Sequence, residues 1–212
     1  MRIERIVVGP FQVNCYILYN ETGGKCLVID PGDDGDGILE SISRLSLSVT
    51  HIVNTHGHAD HIAANIVLKE AFPAAELMIH GRDAHMLTDP AANLSAALGF
   101  QAISPRADRL LEAGTTIEPA GLSFRIEQIG GHSPGSICLI NDATPPAVFA
   151  GDTLFAGTIG RTDFPGGNMG MLLSGVREKI LTLPDETVIY PGHGEITTVG
   201  VERTNNPYVM NE

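Results

Sequence analysis

The segment Thr55-His56-Gly57-His58-Ala59-Asp60-His61 constrains this chain more than any other stretch. It places three imidazoles and a carboxylate within six consecutive residues, His56 to His61. Neither a packed core nor a solvated face needs that density of ligand-type side chains. Imidazole is the commonest metal ligand near neutral pH, and a neighbouring carboxylate suits a borderline divalent ion such as zinc. An extended backbone turns alternate side chains to one side, so His56 and His58 can grip one ion together. Asp60 and His61 then project elsewhere and can hold a second ion nearby. A helix N-cap role for Asp60 is the plainer alternative, but it leaves the three imidazoles unexplained.

Around this segment the chain reads as short strands and helices divided by Gly, Pro and Asn turns. Strands are predicted at Ile3–Val8, Val13–Tyr19, Cys26–Ile29, Thr50–Asn54 and Leu77–Ile79. Others follow at Ser123–Ile129, Ser136–Ile140, Ala147–Ala150 and Val188–Tyr190. Helical spacing marks Ile38–Leu45, Ile62–Phe72, Arg82–Leu87 and Met171–Leu181. Residues 88–110 show no clear period beyond a helical turn near Ala91–Leu98. Many short strands interleaved with helices imply two packed sheets with helices outside, an α/β chain. No linker or charge block divides it, so residues 1–212 are expected to form one domain.

Composition narrows the partners. Asp and Glu outnumber Lys and Arg by 25 to 13, a formal charge of -12. That balance disfavours nucleic acid and anionic membrane surfaces. Cys15, Cys26 and Cys138 each sit in an apolar run and are too scattered for a disulfide framework. They read as small buried hydrophobes in a reducing cytosol. No signal-peptide region and no bilayer-spanning segment is visible, so a cytoplasmic location is expected.

Three later positions repeat one pattern, a ligand-type residue in a Gly-rich turn beside an apolar strand. They are His132 in Gly130-Gly131-His132, Asp152 in Gly151-Asp152-Thr153, and His193 in Pro191-Gly192-His193-Gly194. Each is weak alone, but loops at one sheet edge can converge on one site. His51, His80 and His85 fall outside the pattern and read as structural or surface residues.

The ordered set His56-x-His58-x-Asp60-His61, His132, Asp152 and His193 resembles the metallo-β-lactamase superfamily. Within it, the run Gly151 to Phe155, Gly160-Arg161-Thr162-Asp163-Phe164 and Glu202 to Pro207 resemble the short bacterial glyoxalase-II-like branch, the hydroxyacylglutathione hydrolase-like proteins. The resemblance implies an αββα sandwich of two mixed sheets with metals at one edge. It implies His56, His58 and His132 around one ion and Asp60, His61 and His193 around another. Asp152 would bridge them, since each carboxylate oxygen can ligate one ion. The implied cofactor is two divalent ions, zinc foremost, with iron or manganese as alternatives. They would share a hydroxide, with Asp60 and Asp152 as its catalytic carboxylates.

The implied function is hydrolysis of a thioester or related small acyl compound, with S-lactoylglutathione as the family's substrate. Arg161 would contact an anionic substrate bidentately, or pair with Asp163 instead. Full-length glyoxalase II carries a C-terminal helical domain that contacts glutathione, whereas this sequence ends at Glu212. Arg161 stands where that enzyme has Lys, Asp163 where it has Tyr, and Gly194 where Glu often follows the last His. Metal chemistry is therefore expected to carry over and glutathione recognition to be poor. The main alternative is a persulfide dioxygenase, which shares the Gly160–Phe164 run and holds one iron, here through His56, His132 and Asp152. A β-lactamase and a non-catalytic metal-binding protein are lesser alternatives. The first often has Cys at the position of Asp152.

Overall fold

The computed structural model describes residues 1–210; Asn211 and Glu212, the end of the expected domain, lie outside the described residues. One sheet holds β1 (Arg2–Val8), β2 (Val13–Tyr19), β3 (Lys25–Ile29), β4 (Ser48–Val53), β5 (Glu76–His80) and β6 (Arg109–Leu111), in that spatial order. Its first three strands are antiparallel, and β3 to β6 are parallel. Then come β7 (Thr116–Ile117), β8 (Phe124–Gln128), β9 (Ile137–Asn141) and β10 (Ala147–Gly151). A small hairpin, β11 (Leu154–Phe155) and β12 (Thr158–Ile159), precedes β13 (Val188–Pro191) and β14 (Thr197–Thr198). The second sheet has the order β14-β13-β10-β9-β8-β7 and is likewise mixed.

Both sheets are buried on two faces, and residue alternation assigns each face. In β2, Tyr16 and Leu18 join the layer between the sheets, while Cys15 and Ile17 face the helices. In β10, Ala147 and Phe149 point inward, while Val148 and Ala150 point out. Helix α1 (Gly35–Arg44) and helix α3 (Asn65–Ala71) cover the first sheet through Ile38, Ile42 and Leu68. Helix α4 (Met169–Gly175), its π-helical continuation Val176–Ile180 and α5 (Val199–Asn205) cover the second through Leu172, Val176, Ile180 and Val199. The layers are α, β, β, α. All three cysteines are buried in outer layers, and burial pushes the Cys26 and Cys138 thiols up to about 12.

Several elements differ from the periodicity. Ile62–Phe72 is not one helix. A short α2 (Ala59–Ile62) precedes α3, because the Ala64 N–H bonds to the Pro31 carbonyl at 3.0 Å. The Asn65 amide is also drawn inward, to Asn54 at 2.8 Å and Ser104 at 2.9 Å. Arg82–Leu87 is a 3-10 turn at Ala84–Thr88, and Met171–Leu181 begins earlier at Met169, where Asn168 accepts from the Met171 N–H. Strands β6, β7, β11, β12 and β14 carry no clear period, since two or three residues cannot display one.

Phe149 anchors the inter-sheet layer. It stacks on Tyr190 with centroids 4.9 Å apart and meets Tyr16 and Phe124 edge-on at 5.4 and 6.0 Å. Phe149→Ala should therefore destabilise the protein by about 3–5 kcal/mol, measured by denaturant unfolding. A loss near zero would show that this layer is loosely packed.

Candidate metal centre

The strands β3, β4, β8, β10 and β13 all run toward one edge of the sandwich, so the loops after them meet there. The loop after β4 carries His56, His58, Asp60 and His61. His132 follows β8, Asp152 follows β10 and His193 follows β13. Three groups of ligand atoms lie close enough to hold an ion: His56, His58 and His132; His56, His61 and Asp152; and Asp60, His61 and His193. All seven residues singled out from the sequence converge. His51, His80 and His85 join none of these groups.

The inner nitrogens crowd together. His132 Nε2 is 2.9 Å from His58 Nδ1 and 3.2 Å from His56 Nε2. His61 Nε2 is 3.3 Å from His193 Nε2 and 3.4 Å from Asp152 Oδ1. Asp152 Oδ2 lies 3.5 Å from both His132 Nε2 and His193 Nε2. His193 Nε2 is 3.4 Å from Asp60 Oδ2. Asp60 does not cap α2, whose N-cap is His58 without a side-chain bond.

The outer nitrogens of His56, His61, His132 and His193 are engaged, which sets the tautomer and aims the other nitrogen inward. His132 Nδ1 donates to the Arg161 carbonyl at 2.8 Å, and His193 Nδ1 to the Phe11 carbonyl at 3.0 Å. His61 Nδ1 donates to Asp30 Oδ2 at 3.0 Å. Asp30 also accepts from the Thr55 N–H at 2.7 Å and its hydroxyl at 2.6 Å, and the Thr55 oxygen faces His56 Nδ1 at 3.2 Å. One buried carboxylate thus orients two imidazoles.

Sequence reasoning missed Asp30 as a functional residue. Its signal was present: like Asp152, it directly follows an apolar strand, but Asp30-Pro31-Gly32 also reads as a turn. Asp83 was missed too. Its buried carboxylate accepts from the Ser133 hydroxyl at 2.5 Å, the Gly135 N–H at 2.6 Å and the Gly57 N–H at 3.3 Å. It ties the loop of His56 and His58 to the loop of His132, a contact that no local pattern announces.

Close approach explains two glycines. A Cβ on Gly32 would sit 1.7 Å from the Asp60 carbonyl oxygen, and one on Gly192 would sit 2.3 Å from Asp152 Oδ1. Gly192 is fixed further by its carbonyl, which accepts from the Asn14 N–H at 2.7 Å. Tyr16 donates its hydroxyl to the neighbouring Pro191 carbonyl at 2.7 Å.

The donor set fits divalent metal. Asp152 Oδ1 is buried and has no hydrogen-bond partner among the described residues, a costly state that an ion would relieve. Burial opposes ionising Asp152, yet His61 and His193 hold it well below the usual carboxylate range. Burial and neighbouring imidazoles keep His56 well below its ordinary value, and burial with His132 pushes His58 down to about 3. Both are therefore neutral and ready to ligate. Burial would lower His61 as well, but Asp152, Asp60 and Asp30 outweigh it and push it up to about 9. His193 likewise rises against burial to about 10, through Asp152 and Asp60.

A cavity of about 490 Å³ opens onto these ligands. Phe11, Leu94, Leu98, Phe155, Ile159 and Phe164 make its walls mainly apolar. The hairpin wall is held from behind by buried Glu202, which accepts from the Gly157 N–H at 2.9 Å and the Asn206 amide at 2.8 Å. Arg161 is the one Lys or Arg lining the cavity among the described residues. Its guanidinium pairs with both oxygens of Asp163, at 2.9 and 2.7 Å, and lies 4.3 Å from the Phe164 ring centroid. Both members of that pair are well exposed, so solvent screens it.

The sequence model of the metallo-beta-lactamase superfamily matches residues 8–193, and the chain belongs to that superfamily. It is 34% identical over 215 residues to the hydroxyacylglutathione hydrolase GloC of Haemophilus influenzae, covering 99% of this chain and 98% of that one. The solved structure of BLEG-1, a B3 metallo-beta-lactamase, superposes with a TM-score of 0.95 at 35% identity, covering 99% of this chain and 100% of that one. TTHA1623 in a di-iron-bound form matches with a TM-score of 0.85 at 35% identity, covering 97% and 99%. The protein is thus of the metallo-hydrolase superfamily, with a candidate His and Asp site for divalent metal.

The raised imidazoles make metal uptake pH-dependent. An ion entering the Asp60, His61 and His193 group must displace the protons on both imidazoles at pH 7. Affinity there should rise with pH, by roughly tenfold per unit for each proton displaced, and level off above about 10. In the metal-free protein the same groups contribute stability that is full below about 6.5. It is lost as pH rises through about 9 and 10. Calorimetric zinc titration in buffers of different ionisation enthalpy counts the released protons. Uptake at this group without proton release would contradict the assignment.

Proposed function

We propose that this protein is a dinuclear metal-dependent hydrolase of small thioesters. The observation that carries the reading is the buried, ionised Asp152 carboxylate, one oxygen of which has no hydrogen bond among the described residues, beside the His56, His58 and His132 group and the Asp60, His61 and His193 group. His56, His58 and His132 would hold one ion, and Asp60, His61 and His193 the other, with Asp152 facing both. Zinc suits this set of nitrogen and oxygen donors, and the di-iron form of TTHA1623 makes iron the chief alternative. Two ions there would polarise a carbonyl and supply hydroxide near neutral pH.

The chain's own residues do the rest. Asp30, Thr55 and the Arg161 and Phe11 carbonyls lock the imidazoles of His56, His61, His132 and His193, so little reorganisation of these four is needed. The apolar walls exclude water from the reacting carbonyl. A thiolate is a good leaving group and departs without strong acid assistance. The three cysteines supply no nucleophile, being buried thiols held in the protonated form. Those unpaired thiols also support a reducing, cytoplasmic setting. Among the described residues no helix is long and apolar enough to cross a membrane.

The thioester choice draws on the similarity to GloC, whose name specifies hydroxyacylglutathione hydrolysis. Arg161, at the cavity wall on the His132 side, is the contact for a carboxylate on the thiol part. Taking that role requires it to exchange Asp163 for substrate. Binding of glutathione should consequently be weak, and S-lactoylglutathione should be hydrolysed with a high KM.

The test compares S-lactoylglutathione, a neutral N-acetylcysteamine thioester and a cephalosporin, each with metal-loaded and chelator-stripped protein. Metal-dependent thioester turnover is expected; turnover of the β-lactam alone would overturn the reading. Arg161→Ala should raise KM roughly tenfold for the glutathione thioester and leave the neutral one little changed. A lower Tm with unchanged KM would instead assign Arg161 to its pair with Asp163.

A further inference from the structure

A second cavity of about 200 Å³ adjoins the reaction cavity. Phe11, Ala59 and Asp60 line both, so the two meet at the Asp60 side of the metal centre. Arg161 lines only the larger cavity, and its carbonyl holds His132 on the opposite side. A substrate whose carbonyl lies at the centre therefore has two directions available for its two arms.

The chemistry of the smaller cavity is distinct. Among the described residues no Lys or Arg lines it, and its charged groups are the carboxylates Asp33 and Asp60. Asp60 is committed to the metal ligands, and Asp33 already accepts from the Asp34 N–H at 2.7 Å. An anion would be repelled there. The remaining walls are mostly apolar. Phe11 and Phe100 border the cavity while 45% and 42% exposed. Large aromatic surface left to water beside a reaction site gains free energy when a hydrocarbon covers it.

We propose that this cavity is the acyl subsite and takes an uncharged hydrocarbon chain. The proposal rests on the thioester reading above and deepens it: the anionic thiol part lies toward Arg161, and the apolar acyl part passes Phe11 into the smaller cavity. Phe11 then determines specificity as the wall common to both cavities. Its carbonyl, which holds His193, is a backbone group that substitution of the side chain leaves in place.

The experiment uses metal-loaded protein and S-acyl glutathiones from acetyl to octanoyl, so that the thiol part is constant. kcat/KM should climb roughly 3-fold per added methylene until the chain fills the cavity. Ala63→Leu narrows the cavity and Phe11→Ala removes its common wall. Each should cut the octanoyl-to-acetyl ratio of kcat/KM by at least about tenfold, the effect of losing contacts to about two methylenes. Circular dichroism establishes that each variant is folded, and the exposed position of Phe11 makes that variant the safer one. A flat chain-length series with measurable acetyl turnover overturns the subsite and leaves the thioester reading standing. Unchanged ratios in the folded variants also overturn it. Absence of turnover for every member overturns both.

Discussion

The Asp152 carboxylate sets the terms for the whole strand-end cluster. Burying an ionised carboxylate is costly unless opposite charge or metal compensates. Here His61 and His193 supply that compensation in the metal-free protein, rising to about 9 and 10 as they do so. Asp30 and Asp60 share the load around His61, at 3.0 and 3.7 Å. The result is a charge cluster that still leaves one Asp152 oxygen without a hydrogen bond among the described residues. Binding metal exchanges protons for cations on the same atoms, with the ligand positions already in place.

The sandwich exists, in this view, to bring five strand ends to one edge. Alternating side chains bury both faces of each sheet, so the strands cannot slip without turning apolar residues the wrong way. The loops are then tied to each other across the edge. Asp83 joins the loops of His58 and His132, and Asn14 and Tyr16 of β2 hold the loop of His193. Rigid support of this kind is what metal sites need from a fold.

Much of this was legible in the chain. The strands that read as near-continuous apolar runs, such as Val13–Tyr19 and Ser136–Ile140, appear close to where they were expected, at Val13–Tyr19 and Ile137–Asn141. All seven candidate ligand positions, which the structure brings together, could be named because each stands in a Gly-rich turn at the end of an apolar run or in the His-rich segment. What escaped depends on contacts distant in sequence. The break between α2 and α3 comes from a hydrogen bond between Ala64 and Pro31, and Asp83 serves loops about 26 and 50 residues away. Two-residue strands such as β11 and β12 have no period to read, although they and Glu202 shape the cavity wall. The exposed pair of Arg161 with Asp163 was foreseen only as one of two options; the structure shows the pair and also places Arg161 at the cavity.

The central proposal is that two ions occupy this cluster with Asp152 between them. Anomalous diffraction from crystals of the zinc-loaded protein measures that directly. Two peaks are predicted, one among His56, His58 and His132 and one among Asp60, His61 and His193, each with an Asp152 oxygen as neighbour. A single peak in fully loaded crystals, or two peaks with Asp152 bound to neither, would contradict the account.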